Sequence, residues 1–367
     1  MILYLLIGLF LLLFVTAALA PLESLGWWAD WSRKEVEKGP AQFSAAATEP
    51  ASDEPDLYII YLSGIGAISG DSFPEEEYPF LQGLETRLPT AKVITDVYPY
   101  SVNNNGLTGH RFWAGLWRRI EKLRWKNPNS VLSLLVNLRN ALQMFVSADR
   151  RYGPVYNLGI ANEIYRVLRE KGYHPKNKRP VVLLGWSGGG QISIGAAAYL
   201  AALPSPLFVL SIGGMLSDDP GLEKLTHLWH LYGVADPLQA MGGVLYAGRW
   251  PIMPNSPWNQ AMANGRIDII CLGAYAHNGK GNYFDLETEL PNDARGRTHG
   301  EKTLDTIVHI LTDQGLLRTK TADPDRVAGI AGVATEPALV ATAAPSLSAA
   351  QYQVPIASEL PGDGRAI

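Results

Sequence analysis

Cysteine is almost absent: Cys271 is the single thiol in 367 residues. An intrachain disulfide is therefore excluded, and so is a zinc site built on several thiolates. Cys271 lies inside an apolar run and reads as a buried, inert thiol. A surplus of charge is missing too. Lys and Arg number 31 against 35 Asp and Glu, a formal net charge of -4, so nothing points to nucleic acid as a partner. No internal repeat is visible, and no motif calls for a metal or an organic cofactor.

Charge is missing altogether from residues 2–20, which are nearly all Leu, Ile, Phe, Val and Ala. As a helix this run would span roughly 28 Å, close to the hydrocarbon thickness of a bilayer. It reads as a single-pass membrane anchor over residues 1–22, with the lipid bilayer as a partner. Ala18-Leu19-Ala20 would suit signal cleavage and a secreted esterase. Against that, no basic residue precedes the run and Pro21 follows it. Arg33, Lys34 and Lys38 come after it, which by the positive-inside rule puts the body of the protein in the cytoplasm. Trp27, Trp28 and Trp31 suit an interfacial aromatic belt.

Residues 23–55 read as a juxtamembrane segment and linker, and the Ala- and Pro-rich tail 322–367 as disordered. Between them, residues 56–321 alternate short apolar runs with helical patterns. The runs are 56–62, 92–98, 181–184, 207–212, 230–234 and 267–272. Helical spacing recurs over 155–171 and 188–201, and in Leu304, Ile307, Val308 and Leu311, ending near Gly315. Strands without polar alternation, separated by helices, predict an α/β fold with a mostly parallel sheet buried on both faces. Residues 103–152 form a cap-like helical insertion. Within it, 111–126 carries Trp113 and Trp117 on an apolar stripe among basic residues. That stripe fits either packing on the domain or a place beside lipid, where it would help admit an acyl substrate.

Gly185-Trp186-Ser187-Gly188-Gly189 fits G-x-S-x-G. The chain holds 36 glycines, so the pattern alone says little. Its setting says more: a strand ends at Leu184 and a helix opens at Gly188, the strand-turn-helix context in which a serine hydroxyl is thrust above a sheet edge. A phosphate loop would need Gly-Lys-Ser/Thr at the helix start, whereas Gly190 is followed by Gln191-Ile192-Ser193. A serine nucleophile needs a base and an acid from later strands. Asp236 follows the run 230–234, and His277 follows the run 267–272. His299, at the start of the last helix, is an alternative base. Asp218 and Asp219, beyond the run 207–212, are alternative acids. His227, His230 and His309 fall within or before regular elements and read as structural.

Taken together, these motifs resemble the α/β-hydrolase superfamily of serine esterases and lipases over roughly residues 56–317, and the whole chain resembles uncharacterised bacterial membrane-anchored members. The resemblance implies a serine hydrolase cleaving an ester or thioester of a small-molecule, lipid or acyl substrate. It implies Ser187 as nucleophile, His277 as general base and Asp236 as its orienting acid. Ser63-Gly64-Ile65-Gly66 resembles the oxyanion loop, so the backbone N–H groups of Gly188 and Ile65 would hold the oxyanion. The family often has His-Gly where this chain has Ser63-Gly64, so Gly64 or Gly66 stands as an alternative second donor. A different class of function is a non-catalytic scaffold of the same fold tethered to the membrane, because fold does not dictate activity.

Overall fold

The computed structural model describes residues 54–69, 74–101, 131–291 and 293–317, together with Gly8, Leu11, Phe14 and Val15. Contacts divide the chain at Arg318, and the tail 322–367 lies outside the described residues, as do the linker up to 53 and the basic stripe 111–126.

Six strands form one sheet: β1 (Leu57–Leu62), β2 (Ala91–Ile94), β3 (Val181–Trp186), β4 (Leu207–Ile212), β5 (His227–Gly233) and β6 (Ile267–Gly273). Their order is β2-β1-β3-β4-β5-β6, and every neighbouring pair is parallel. All residues of β1, β3 and β4 are buried, as their mostly apolar sequences, with Ser211 the polar exception, suit strands covered on both faces. Around the sheet run α1 (Glu77–Arg87), α2 (Val131–Ala148), α3 (Gly153–Glu170), α4 (Gly188–Leu200), α5 (Pro237–Leu245), α6 (Pro257–Ala263) and α7 (His299–Asp313). This is the parallel sheet flanked by helices of an α/β-hydrolase fold, with α2 as the described part of the insertion. Glycine and alanine let α4 bury nearly its whole surface, whereas α7 opens on a Thr298–Glu301 capping box.

From β1 the chain turns to β2 on one side; from β3 it proceeds through β4 and β5 to β6 on the other. The carboxyl ends of β1 and β3 therefore border a topological switch point, where such sheets open a crevice for ligands. Loop 63–67 leaves one lip of this crevice and Ser187 stands on the other.

Three expectations need correction. Among the described residues no helix is long and apolar enough to cross a membrane. A span needs about 20 consecutive apolar helical residues, and of residues 1–22 only Gly8, Leu11, Phe14 and Val15 are described. The anchor over 1–22, the bilayer as partner, the cytoplasmic body tied to that anchor and the tethered scaffold are withdrawn on that finding. The strand foreseen over 92–98 ends at Ile94, because Tyr98 and Tyr100 leave the sheet to bond Asn140 Oδ1 and the Ser63 carbonyl. Cys271 is exposed; β6 is the edge strand, and its middle faces solvent where the inner strands do not.

Candidate active site

The turn from β3 into α4 is forced by close approach. A Cβ on Gly189 would lie 2.0 Å from the Leu62 carbonyl oxygen, and one on Gly185 would lie 2.5 Å from Gly190 Cα. Both glycines flanking the serine are thus required by space, as the motif demands. Ser187 itself adopts φ 50° and ψ -117°. Positive φ in a residue with a Cβ stores about 1–3 kcal/mol of strain and persists only where the surroundings impose it. Here the surroundings are the Ser187 N–H bond to the Ile212 carbonyl and the helix beginning at the next residue.

Three side chains from distant parts of the chain meet at this point. Ser187 Oγ lies 2.9 Å from His277 Nε2, and His277 Nδ1 lies 2.8 Å from Asp236 Oδ2. The arrangement is a serine-hydrolase triad of the kind esterases and lipases use. Asp236 follows β5 as the N-cap of α5, and its Oδ1 accepts from the Leu238 and Gln239 N–H groups. Its Oδ2 accepts a second bond, 2.8 Å long, from the Tyr283 hydroxyl, which in turn accepts from the Gly233 N–H. Burial pushes the Asp236 carboxyl up, but the bonds from His277, Tyr283 and Gln239 outweigh it and hold the group below the ordinary carboxylate range. Burial first, and then the Asp236 charge, raise the Tyr283 phenol, so it stays a donor. The Trp186 ring stacks on the His277 imidazole at 4.6 Å, fixing its plane from the side away from the bonds.

Loop 63–67 presses on the elbow. A Cβ on Gly64 would come within 2.7 Å of Trp186 Cδ1 and 3.4 Å of Ser187 Cβ, and one on Gly188 within 3.0 Å of Ile65 Cγ2. Gly188 and Ile65 are therefore neighbours beside the serine. Beneath the loop the buried Glu77 carboxylate accepts from Ser63 Oγ and the Tyr61 hydroxyl, each at 2.7 Å.

The alternatives are engaged elsewhere. His299 Nδ1 lies 2.9 Å from the Thr288 carbonyl, and its ring meets Tyr275 edge-on. Asp218 pairs with Arg150 at 2.6 Å. Asp219 accepts from the Gly221 N–H to open a short helical turn, and burial lifts its carboxyl to about 6. His230 is buried against Ser211, and burial together with the Arg249 charge pushes it down to about 3. Trp186 and Tyr283 escaped the sequence reading. Trp186 occupies the free position of the motif, and Tyr283 lies in a loop without a pattern. Among the described residues no group of three or more His, Cys, Asp or Glu side chains is arranged to hold a metal.

No family model matches this chain, and no curated protein matches it either. Several solved structures align with this chain at low similarity. Carboxyl esterase 2 from the mycorrhizal fungus Tuber melanosporum shares 12% identity, with 74% of this chain and 80% of that one covered at a TM-score of 0.38. Esterase LipW from Mycobacterium marinum shares 15%, covering 71% and 73% at 0.33. Trichoderma reesei cutinase shares 17%, covering 82% and 90% at 0.27. Such distant likeness leaves substrate and mechanism to the geometry of the site.

Proposed function

We propose that this protein hydrolyses an ester or thioester, of a small-molecule, lipid or acyl substrate, through an acyl-enzyme on Ser187. The observation that carries the reading is the unbroken line Ser187 Oγ, His277 Nε2, His277 Nδ1, Asp236 Oδ2, with contacts of 2.9 and 2.8 Å. In the proposed reaction Ser187 Oγ bonds to the carbonyl carbon while its proton passes to His277 Nε2. The carbonyl π-bond pair moves to oxygen, where the N–H groups of Gly188 and Ile65 receive the charge. Collapse expels the alkoxide or thiolate, which takes the proton from His277. Water then attacks the acyl-enzyme by the same route, and Ser187 regains its proton. Asp236 keeps the Nδ1 proton in place, so that Nε2 is free to accept, and stabilises the imidazolium.

A fluorophosphonate probe tests this directly. Covalent labelling of the wild type, with the tag on Ser187 and none on Ser187→Ala, is the expected result. A folded wild type that takes no label and cleaves no member of a panel of short- and long-chain esters and thioesters would end this reading.

A further inference from the structure

Glycines flank Ile65 on both sides, so sterics alone give its peptide groups little reason to keep one orientation. Hydrogen bonds must hold them. The Gly64 carbonyl accepts from the Ala67 N–H at 3.1 Å. In a trans peptide the two polar groups point apart, so the Ile65 N–H is turned out of this bend. The Ile65 and Ala67 carbonyls are then both bound, each at 2.8 Å, by Nδ2 of Asn140, a residue of α2 within the insertion.

We infer that Asn140 is a positioning residue for the reaction: its amide locks loop 63–67 so that the Ile65 N–H stays available to the oxyanion. This rests on the esterase reading above. Asn140 is fully buried, and every polar capacity of its amide is used. Both Nδ2 hydrogens go to the loop, while Oδ1 accepts from the Tyr98 hydroxyl at 3.1 Å and Arg139 Nη1 at 3.2 Å. Reversing the amide would aim an oxygen at two carbonyls and an NH2 at a guanidinium, so only one orientation fits. Arg139 also donates to the Tyr100 carbonyl, and the Tyr100 hydroxyl donates to the Ser63 carbonyl, which ties down the start of the loop. One turn along α2, Met144 Sδ comes within 3.4 Å of where a Gly188 Cβ would stand. One face of the insertion helix thus reaches both proposed oxyanion donors, Asn140 through the Ile65 loop and Met144 against Gly188.

The test compares Asn140→Asp, which keeps shape and loses the donors, and Asn140→Leu with wild type. Readouts are ester hydrolysis and inhibition by a trifluoromethyl ketone, whose hemiketal places an oxyanion in the same spot. Removing a donor outright lowers kcat by ~100–1,000-fold, so a loosened donor should lower it by ~10–100-fold. KM is expected to stay near wild type, and the inhibitor to weaken by the factor lost in kcat/KM. Tyr98→Phe, which removes the hydroxyl that donates to Asn140 Oδ1 and accepts from Arg139 Nη1, should give a smaller loss of the same kind. Thermal melting checks the fold. A folded Asn140→Asp with wild-type kcat and inhibitor affinity overturns the inference, as does a rise in KM alone, or failure of both Asn140 variants to fold. If Ser187→Ala is as active as wild type, the esterase reading falls and takes this one with it. An inert Ser187→Ala beside a fully active Asn140→Asp sinks only the role of Asn140.

Discussion

The two halves of the triad are held by opposite means. Ser187 stands at the end of a central strand, in a turn set by backbone at close range: Gly189 against the Leu62 carbonyl, Gly185 against Gly190, and the Ser187 N–H on the Ile212 carbonyl. His277 hangs beyond the edge strand β6, in a loop that runs to the start of α7. That loop is held by side chains. Asn282 donates to Glu76, the Gly281 N–H bonds Asp285, and Asp285 also accepts from the Glu287 and Thr288 N–H groups. The nucleophile is placed by excluded volume and the base by hydrogen bonds. The first device tolerates no added atom, whereas the second loosens by degrees.

The largest effect should come from the chemistry both halves share. Ser187→Ala and His277→Ala should each lower kcat by about 10⁵–10⁶-fold, with the double variant no worse, because the pair acts as a unit. His299→Ala should change kcat by less than about 3-fold in the same assay; a loss as deep as that of His277→Ala would mean the base side has been misassigned. Gly189→Ala should lower stability by about 3 kcal/mol in denaturant melts, since its Cβ meets backbone that cannot yield. Gly279→Ala, two residues beyond the base and with open space around it at φ +73°, should lose only about 1 kcal/mol. Equal losses at the two glycines would erase the contrast.

Two carboxylates extend the comparison to pH. Burial raises Asp219 from 3.8 to about 6. As pH rises through that interval the unfolded chain ionises first, so the folded state loses about 1.4 kcal/mol of stability per pH unit. Asp219→Asn should therefore be up to about 3 kcal/mol more stable than wild type at about pH 8 and equal to it at about pH 3. Asp236 works in the other direction. It is buried, yet its bonds hold it below its ordinary value of 3.8, so its stabilising contribution is whole at neutral pH and is lost as pH falls through the folded value. Tyr283→Phe removes one of those bonds. It should lower kcat by about 10-fold and cost about 1.5 kcal/mol at neutral pH, the usual worth of a bond to a charged group. That deficit should shrink as acid protonates the carboxylate, which pH-dependent urea melts would reveal.

What could be read beforehand follows the same division. The run 207–212 is β4 to the residue, and the runs at 56–62, 181–184 and 267–272 fall on strands within two residues of their ends. A strand covered on both faces is apolar nearly throughout, and its bounding turns are short. Residues 92–98 misled because Val97 and Tyr98 are as apolar as strand residues, but both are buried beyond the end of β2, where Tyr98 bonds Asn140 of the insertion. Helices α1, α5 and α6 went unforeseen; α5 leaves Leu238, Met241, Val244 and Leu245 exposed, so its pattern does not mark an inner face. Cys271 was expected inside because its run is apolar, and nothing local says that β6 has a neighbour on one side only.

The sequence by itself determined the elbow at Ser187, because glycine spacing between a strand and a helix is local and sterically obligatory. It also narrowed acid and base to a few residues following later strands. Only the tertiary structure decided between His277 and His299, and between Asp236 and the pair Asp218 and Asp219, because the two contacts that decide it span 2.9 and 2.8 Å while the residues they join lie 90 and 41 positions apart. Only it brought Tyr283 and Asn140 into the site, since a single polar side chain in a loop or on a helix carries no trace of the distant carboxylate or carbonyl it will meet.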